Sequence, residues 1–166
     1  MGWMSPTGFV DGGGTWTDET LAYDEDTVTY ATETIGAVGW GNYLELTHLA
    51  INCDKVQVWS SYQASIDLIE VDVYYGGAWH NIYSGAVTVG QYVEYAIGSE
   101  QSVTAMRIRY HTTKANRWVR VNEADFWEVE ALPSYPYHRR TLKGTGPYSG
   151  RRGFDEVTGH RRGFWP

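Results

Sequence analysis

From Val28 to Glu130 no stretch holds the 3.6-residue apolar period of a helix, and short runs of strand-forming residues follow one another instead. They read VTYAT, NYLELTHLAIN, KVQVWSS, SIDLIEVDVYY, AWHNIYS, QYVEYAI, VTAMRIRYH, RWVRV and NEADFWEVE. Leu44 and Leu46 alternate with Glu45 and Thr47, Val56 and Val58 flank Gln57, and Met106, Ile108 and Tyr110 alternate with Arg107 and Arg109. Each such run offers one face to a core and one to water. About eight or nine strands spaced by turns over roughly 110 residues predict an all-β antiparallel sandwich. In SIDLIEVDVYY the alternation slips between Ile66 and Leu68 on one parity and Ile69, Val71, Val73 and Tyr75 on the other, so a bulge is expected near Leu68–Ile69. Gly76–Gly77 then supplies the positive backbone angles of a tight hairpin.

Nineteen Gly, thirteen Tyr and eight Trp in 166 residues agree with strands and turns and exclude a helical bundle. The one cysteine, Cys53, rules out an intrachain disulfide framework, so stability must come from a packed core. A chain of about 150 residues can bury roughly two thirds of its unfolded surface, which suffices. Cys53 itself, at the end of a core strand, reads as an inert buried thiol rather than a nucleophile. Trp59, Trp79, Trp118 and Trp127 lie on strands and are expected to pack in the core or between sheets. The sequence has no apolar run long enough to span a membrane, and its start lacks the basic flank and apolar stretch of a signal peptide.

The chain divides into three parts. Residues 1–20 form a Gly-rich lead-in arm with Trp3, Phe9 and Trp16 as anchors, residues 21–131 the sandwich, and residues 132–166 an extended arm. Residues 1–130 hold eighteen acidic and six basic side chains, a net of −12, whereas residues 131–166 hold two acidic and seven basic ones, a net of +5. An acidic body of this kind repels phosphate, which excludes a free nucleic-acid binder, while the basic arm suits an acidic protein surface. The arm repeats RRGF at 151–154 and 161–164. Its Arg151, Arg152, Phe154, Arg161, Arg162, Phe164 and Trp165 are expected to make assembly contacts.

Known catalytic patterns are missing. Five histidines occur without HExxH or a closely spaced ligand set, and there is no GxSxG, P-loop or dinucleotide fingerprint. A glycosidase needs only two carboxylates about 5 to 9 Å apart, which tertiary structure alone can arrange. Such sites usually need long enclosing loops, however, and the connections here read as short turns; the chain is therefore expected not to be an enzyme.

Two features suit ligands. In AYDEDTVT, Asp24, Asp26 and Thr29 with neighbouring carbonyls can either surround a hard cation, completed by a distant Glu128 or Glu130, or form an acidic turn closed by local hydrogen bonds. In GAVGWGNYLEL the glycines put Trp40 in a loop, where with Tyr43 it can stack on a sugar or fold inward as a lid. Arg107 and Arg109, on the polar face of one strand, either pair with acids or join a ligand or subunit face.

The order of these segments resembles the galactose-binding-like jelly roll, the discoidin or coagulation-factor C-type group, including versions carried by bacteriophage virion proteins. The resemblance runs from about Leu21 to Val129 through LAYDEDTVTYAT, NYLELTHLAINCDKVQVWSS, IDLIEVDVYYGGAWHNIYSG, VTAMRIRYH and NEADFWEVE. It implies a jelly-roll sandwich, glycan binding by loops at one end, and a Ca2+ site carried onto Asp24, Thr29 and Glu128 or Glu130. Glu25 stands where the group prefers Gly, and Ala31 where it often has Trp.

Together with the charge split, the resemblance leads to the expectation of a non-enzymatic virion structural protein. It would decorate or connect a phage capsid or tail through its basic arm, with other virion subunits and further copies of itself as partners and a host glycan as a second contact. The alternative is a free carbohydrate-binding module or adhesin, and behind it a small glycoside hydrolase.

Overall fold

The computed structural model describes residues 1–130. Ten antiparallel strands form a jelly-roll β-sandwich: β1 (Gly2–Met4), β2 (Gly8–Val10), β3 (Trp16–Thr17), β4 (Ala31–Ile35), β5 (Gly39–Trp40), β6 (Leu44–Tyr62), β7 (Ile66–Tyr75), β8 (Ala78–Ala86), β9 (Tyr92–Thr112) and β10 (Arg117–Glu128). A single 3-10 turn, Glu19–Ala22, precedes β4. The hydrogen-bonded path runs β3-β4-β10-β6-β9-β7-β8 and does not close.

Two long strands serve both layers. The first part of β6 pairs with the last part of β9, Leu44 opposite Ile108 and Leu46 opposite Met106, while its second part pairs with the beginning of β9, Val56 opposite Tyr95 and Val58 opposite Val93. Register shifts fall between Thr47 and Ile51 and between Cys53 and Lys55. Irregularities of this kind bend a strand, here from one layer into the other. One layer therefore holds β3, β4, β10, the second part of β6 and the start of β9, and the other holds β2, the first part of β6, the end of β9, β7 and β8.

The core between the layers contains Leu44, Leu46, Val56, Val58, Ile69, Val71, Val73, Met106, Ile108, Tyr110 and Phe126, all fully or almost fully buried. The alternation of apolar and polar residues dictates this face. Tyr110, buried throughout its ring, shares a 2.6 Å hydrogen bond with Ser60, which satisfies both hydroxyls inside the core. Cys53 is buried as expected; its Sγ–H donates to the Lys55 carbonyl, and burial pushes the thiol up to about 11.

Two sequence expectations change, and the anchoring of the first twenty residues takes a definite form. The bulge in β7 lies between Ile66 and Leu68, one step earlier than expected, and Leu68 stays half-buried while Ile66 and Ile69 enter the core. Trp59, Trp79, Trp118 and Trp127 are not core residues; they pack on outer faces against Tyr92, Tyr74, Arg120 and Trp3. Their parity along the strands places them opposite the aliphatic set, so flat rings with a polar N–H cover the sheets from outside. The first twenty residues are built into the sandwich: β1 pairs with β10, β2 with β6 and β3 with β4, and Trp16 is buried.

Candidate functional site

The structure brings Trp40, Tyr43, Arg107 and Arg109 together on the outer face of the layer containing β7 and β8. Leu44, Leu46, Met106 and Ile108 point inward, so Tyr43, Arg107 and Arg109 must point outward. β5 continues the edge of β6 beside β9, setting Trp40 opposite His111. The side chains then interleave as Trp79, Arg107, Tyr43, Arg109 and Trp40. The Arg107 guanidinium lies 4.4 Å from the Trp79 ring centre and 4.0 Å from that of Tyr43, and Arg109 lies 4.4 Å from Tyr43 and 4.8 Å from Trp40. Each pair is a cation–π contact.

Carboxylates on β7 hold this row in place. Arg107 donates Nε–H to Asp72 over 2.7 Å, Arg109 pairs with Glu70, and His111 lies 2.7 Å from Asp67. Register explains the partners, since Asp72 faces Arg107 and Glu70 faces Arg109 across the β7–β9 ladder. The Tyr43 hydroxyl donates to Glu70 over 2.9 Å, and burial, with Glu70 accepting its proton, pushes the phenol above its usual range. Arginines paired with acids, one of the two readings from sequence, are what the structure contains. With guanidinium groups on both sides, Tyr43 has no open face for a sugar, whereas Trp40 remains 37% exposed.

A cavity of about 240 Å3 opens beside Trp40, under the loop 36–41 that joins β4 to β5 and β6. Its floor includes Glu33, only 2% exposed. Glu33 Oε1 accepts from the Thr15 hydroxyl and the Asn42 N–H, each at 3.0 Å, while Oε2 is buried with no hydrogen-bond partner. Burial raises the carboxyl above its ordinary range. Gly41 makes the close approach feasible, because a Cβ there would come within 2.5 Å of Glu33 Oε2. An exposed indole beside a buried, under-used acceptor is an arrangement suited to a hydroxyl-rich ligand. Sequence patterning marked Trp40 but missed Glu33, which in YATETI reads as an ordinary polar strand position.

Of the expected cation residues, Asp24, Asp26 and Thr29 share one turn and Glu128 lies apart from it. Asp24 accepts the Thr29 hydroxyl at 2.8 Å and the Asp26 N–H at 3.1 Å, and Asp26 accepts the Val28 N–H at 2.8 Å, so the turn is closed by local bonds. Glu128 lies elsewhere, opposite Gly2 and Cys53 at the end of β10. The β10 carboxylate that faces the turn is Glu123, five residues earlier and so about 16 Å away along the strand. Asn122 fastens the turn to β10 by donating to the carbonyls of Thr27 and Thr29. Glu123 is 1% exposed, and its carboxylate lies beside the N–H groups of Glu25 and Ala124 without a well-aligned hydrogen bond to either. Burial and the neighbouring Asp125 push it up to about 7, although the N–H groups of Glu25 and Ala124 favour its charged form. Glu25, with φ of 65°, adopts the left-handed backbone that suits glycine. Among the described residues no three His, Cys, Asp or Glu side chains converge as a metal cage. The residues expected to mediate assembly, Arg151, Arg152, Phe154, Arg161, Arg162, Phe164 and Trp165, lie outside the described residues, as does the 132–166 arm that carries them.

No family model and no curated protein matches the chain. Solved structures match its fold. The CBM32-1 module of a family 31 glycoside hydrolase from Clostridium perfringens aligns with a TM-score of 0.59 at 11% identity, over 75% of this chain and 96% of that one. The family 32 carbohydrate-binding module of C. perfringens NanJ, in complex with galactose, aligns at 0.57 and 11%, over 72% and 93%. Chitosan-binding module 1 of a chitosanase/glucanase from Paenibacillus sp. IK-5 aligns at 0.54 and 11%, over 75% and 96%. Likeness at such identities establishes the fold, a jelly-roll β-sandwich. It also overturns the virion reading, since these three structures are carbohydrate- or chitosan-binding modules and none is a virion protein. The assignment to phage proteins, the capsid or tail role, the virion subunits and self-association as partners, and the virion location are corrected accordingly. The expectation that the chain is not an enzyme agrees with these matches to binding modules.

Proposed function

We propose that the chain is a carbohydrate-binding module without catalytic activity, and that the cavity beside Trp40 holds a sugar ring. The observation that carries this is the pairing of an exposed indole with the buried, unpartnered Oε2 of Glu33 in one loop-end cavity. The ring would stack on the face of Trp40 that Arg109 leaves open while a hydroxyl donates to Glu33, with Arg109 over the indole and His111 edge-on against it fixing its orientation. The fold supports the reading, since a module of the same fold is known in complex with galactose. A glycan panel followed by calorimetry tests it. Trp40→Ala should weaken the best-bound sugar at least about tenfold, a loss of roughly 1.4 kcal/mol or more. Glu33→Gln should weaken it while leaving the fold intact. A panel without a single bound glycan, or full affinity in Trp40→Ala, overturns the reading.

A structural Ca2+ ion belongs to the same proposal, with Glu123 in the position first given to Glu128. Two buried carboxylate oxygens without a well-aligned hydrogen bond, beside the Asp24–Thr29 turn, fit a hard cation, which would draw its remaining donors from backbone carbonyls and water. Bound there, the ion would pin the turn to β10. Millimolar Ca2+ should raise the melting temperature of the chelator-treated protein by about 5 °C or more, and Glu123→Gln should abolish the rise. Identical melting with Ca2+ and with chelator refutes this role.

A further inference from the structure

We propose that the glycan site continues past Asn42 into a second subsite, so that the ligand is a neutral oligosaccharide chain rather than a single sugar; this inference rests on the glycan reading above. A second cavity of about 280 Å3 lies on the other side of Asn42, lined by Val10, Gly12, Gly13, Tyr43, Glu45 and Arg107. Asn42 is the wall common to both cavities.

Asn42 is held firmly. Its N–H donates to Glu33, its carbonyl accepts from the Trp16 indole at 3.2 Å, and its Nδ2 donates to the Thr15 hydroxyl at 3.2 Å. The arm segment over it is equally fixed, because the Asp11 carboxylate accepts the N–H groups of Gly13, Gly14 and Trp16. Gly13 passes so close that a Cβ would come within 2.7 Å of Asn42 Cγ. The ridge between the cavities is thus built before any ligand arrives, which lowers the ordering cost of binding.

The chemistry of the second cavity differs from that of the first. Arg107 offers a guanidinium already oriented by Asp72, Tyr43 and Trp79, and Glu45 offers a half-buried carboxyl raised by burial and lowered by Arg107. One cation and one anion side by side give donors and acceptors without net charge, which suits hydroxyl groups better than a uronate or an amine. Trp40 faces His111 and Glu45 faces Arg107 across β9, four residues apart. That is about 13 Å along the strand, longer than one sugar ring.

The experiment is a calorimetric series with galactose and its di-, tri- and tetrasaccharides, run beside glucose and cello-oligosaccharides. Affinity in one series should rise at least about tenfold between the monosaccharide and the trisaccharide. Val10→Trp, which fills the second cavity from exposed β2, should erase that rise and keep the monosaccharide affinity of the wild type; Glu45→Ala provides a second variant with the same expectation. Affinity independent of chain length, or a rise that survives both variants, overturns the second subsite and leaves the module reading in place. No binding of any sugar in either series or on the panel overturns both.

Discussion

Glu123 is a residue whose burial has a direct pH signature. An ordinary Glu titrates near 4.5, whereas Glu123 in the folded protein is pushed up to about 7. Between these values the native state holds a proton that the unfolded chain has released, so the contribution of Glu123 to stability is fully present at low pH and is lost as pH rises through the window. The loss reaches at most about 3 kcal/mol by linkage. Urea melts in chelator at pH 5 and pH 8 should show that fall, and Glu123→Gln should lessen it; an equal fall in wild type and variant sinks the argument. Sequence alone could not locate this residue. Val119, Val121, Glu123 and Asp125 share one parity, which would send both acids into the core. The register shift between Val121 and Glu123 reverses the faces, so Ala124 and Phe126 turn inward. A bulge displaces every later side chain, and nothing in VNEADF announces it.

At the scale of elements, the strand pattern was legible and the strand lengths were not. NYLELTHLAIN and KVQVWSS are one bent strand, as are QYVEYAI and VTAMRIRYH, because polar residues at a bend resemble those of a turn. The outer row from Trp79 to Trp40 was half legible: the alternation gave the outward Arg107 and Arg109, but their partners Asp72 and Glu70 follow from cross-strand register, which only the tertiary pairing sets. The row also makes a specific prediction. Planar guanidinium groups can stack between rings while bonding a carboxylate edgewise, and an ammonium cannot do both. Arg109→Lys should therefore cost about 1–2 kcal/mol in chemical denaturation despite its retained charge. Wild-type stability in that variant would mean the stacking contributes nothing.

At the scale of the molecule, the order of segments identified the sandwich, while the charge split between residues 1–130 and 131–166 misdirected the functional expectation. Net charge governs solubility and association rates and does not encode fold or role. The matches in fold moved the reading to glycan recognition, in which single sites are small. A cavity of about 240 Å3 is below the usual range for tight small-molecule sites, so a lone module should bind weakly. Two copies joined by a flexible linker should hold a glycan-coated surface about a hundredfold or more longer than one, measured by surface plasmon resonance. Equal retention of one and two copies would count against a multivalent mode of use.

β10 also fixes which way such a module faces. Gly2 pairs with Glu128 at one end of this strand, whereas Ile35, immediately before the Trp40 loop, pairs with Arg117 at the other. Over twelve residues the two ends stand on the order of 30 Å apart. Anything fused ahead of Gly2 thus departs from the pole remote from the indole, on the side away from the proposed sugar site.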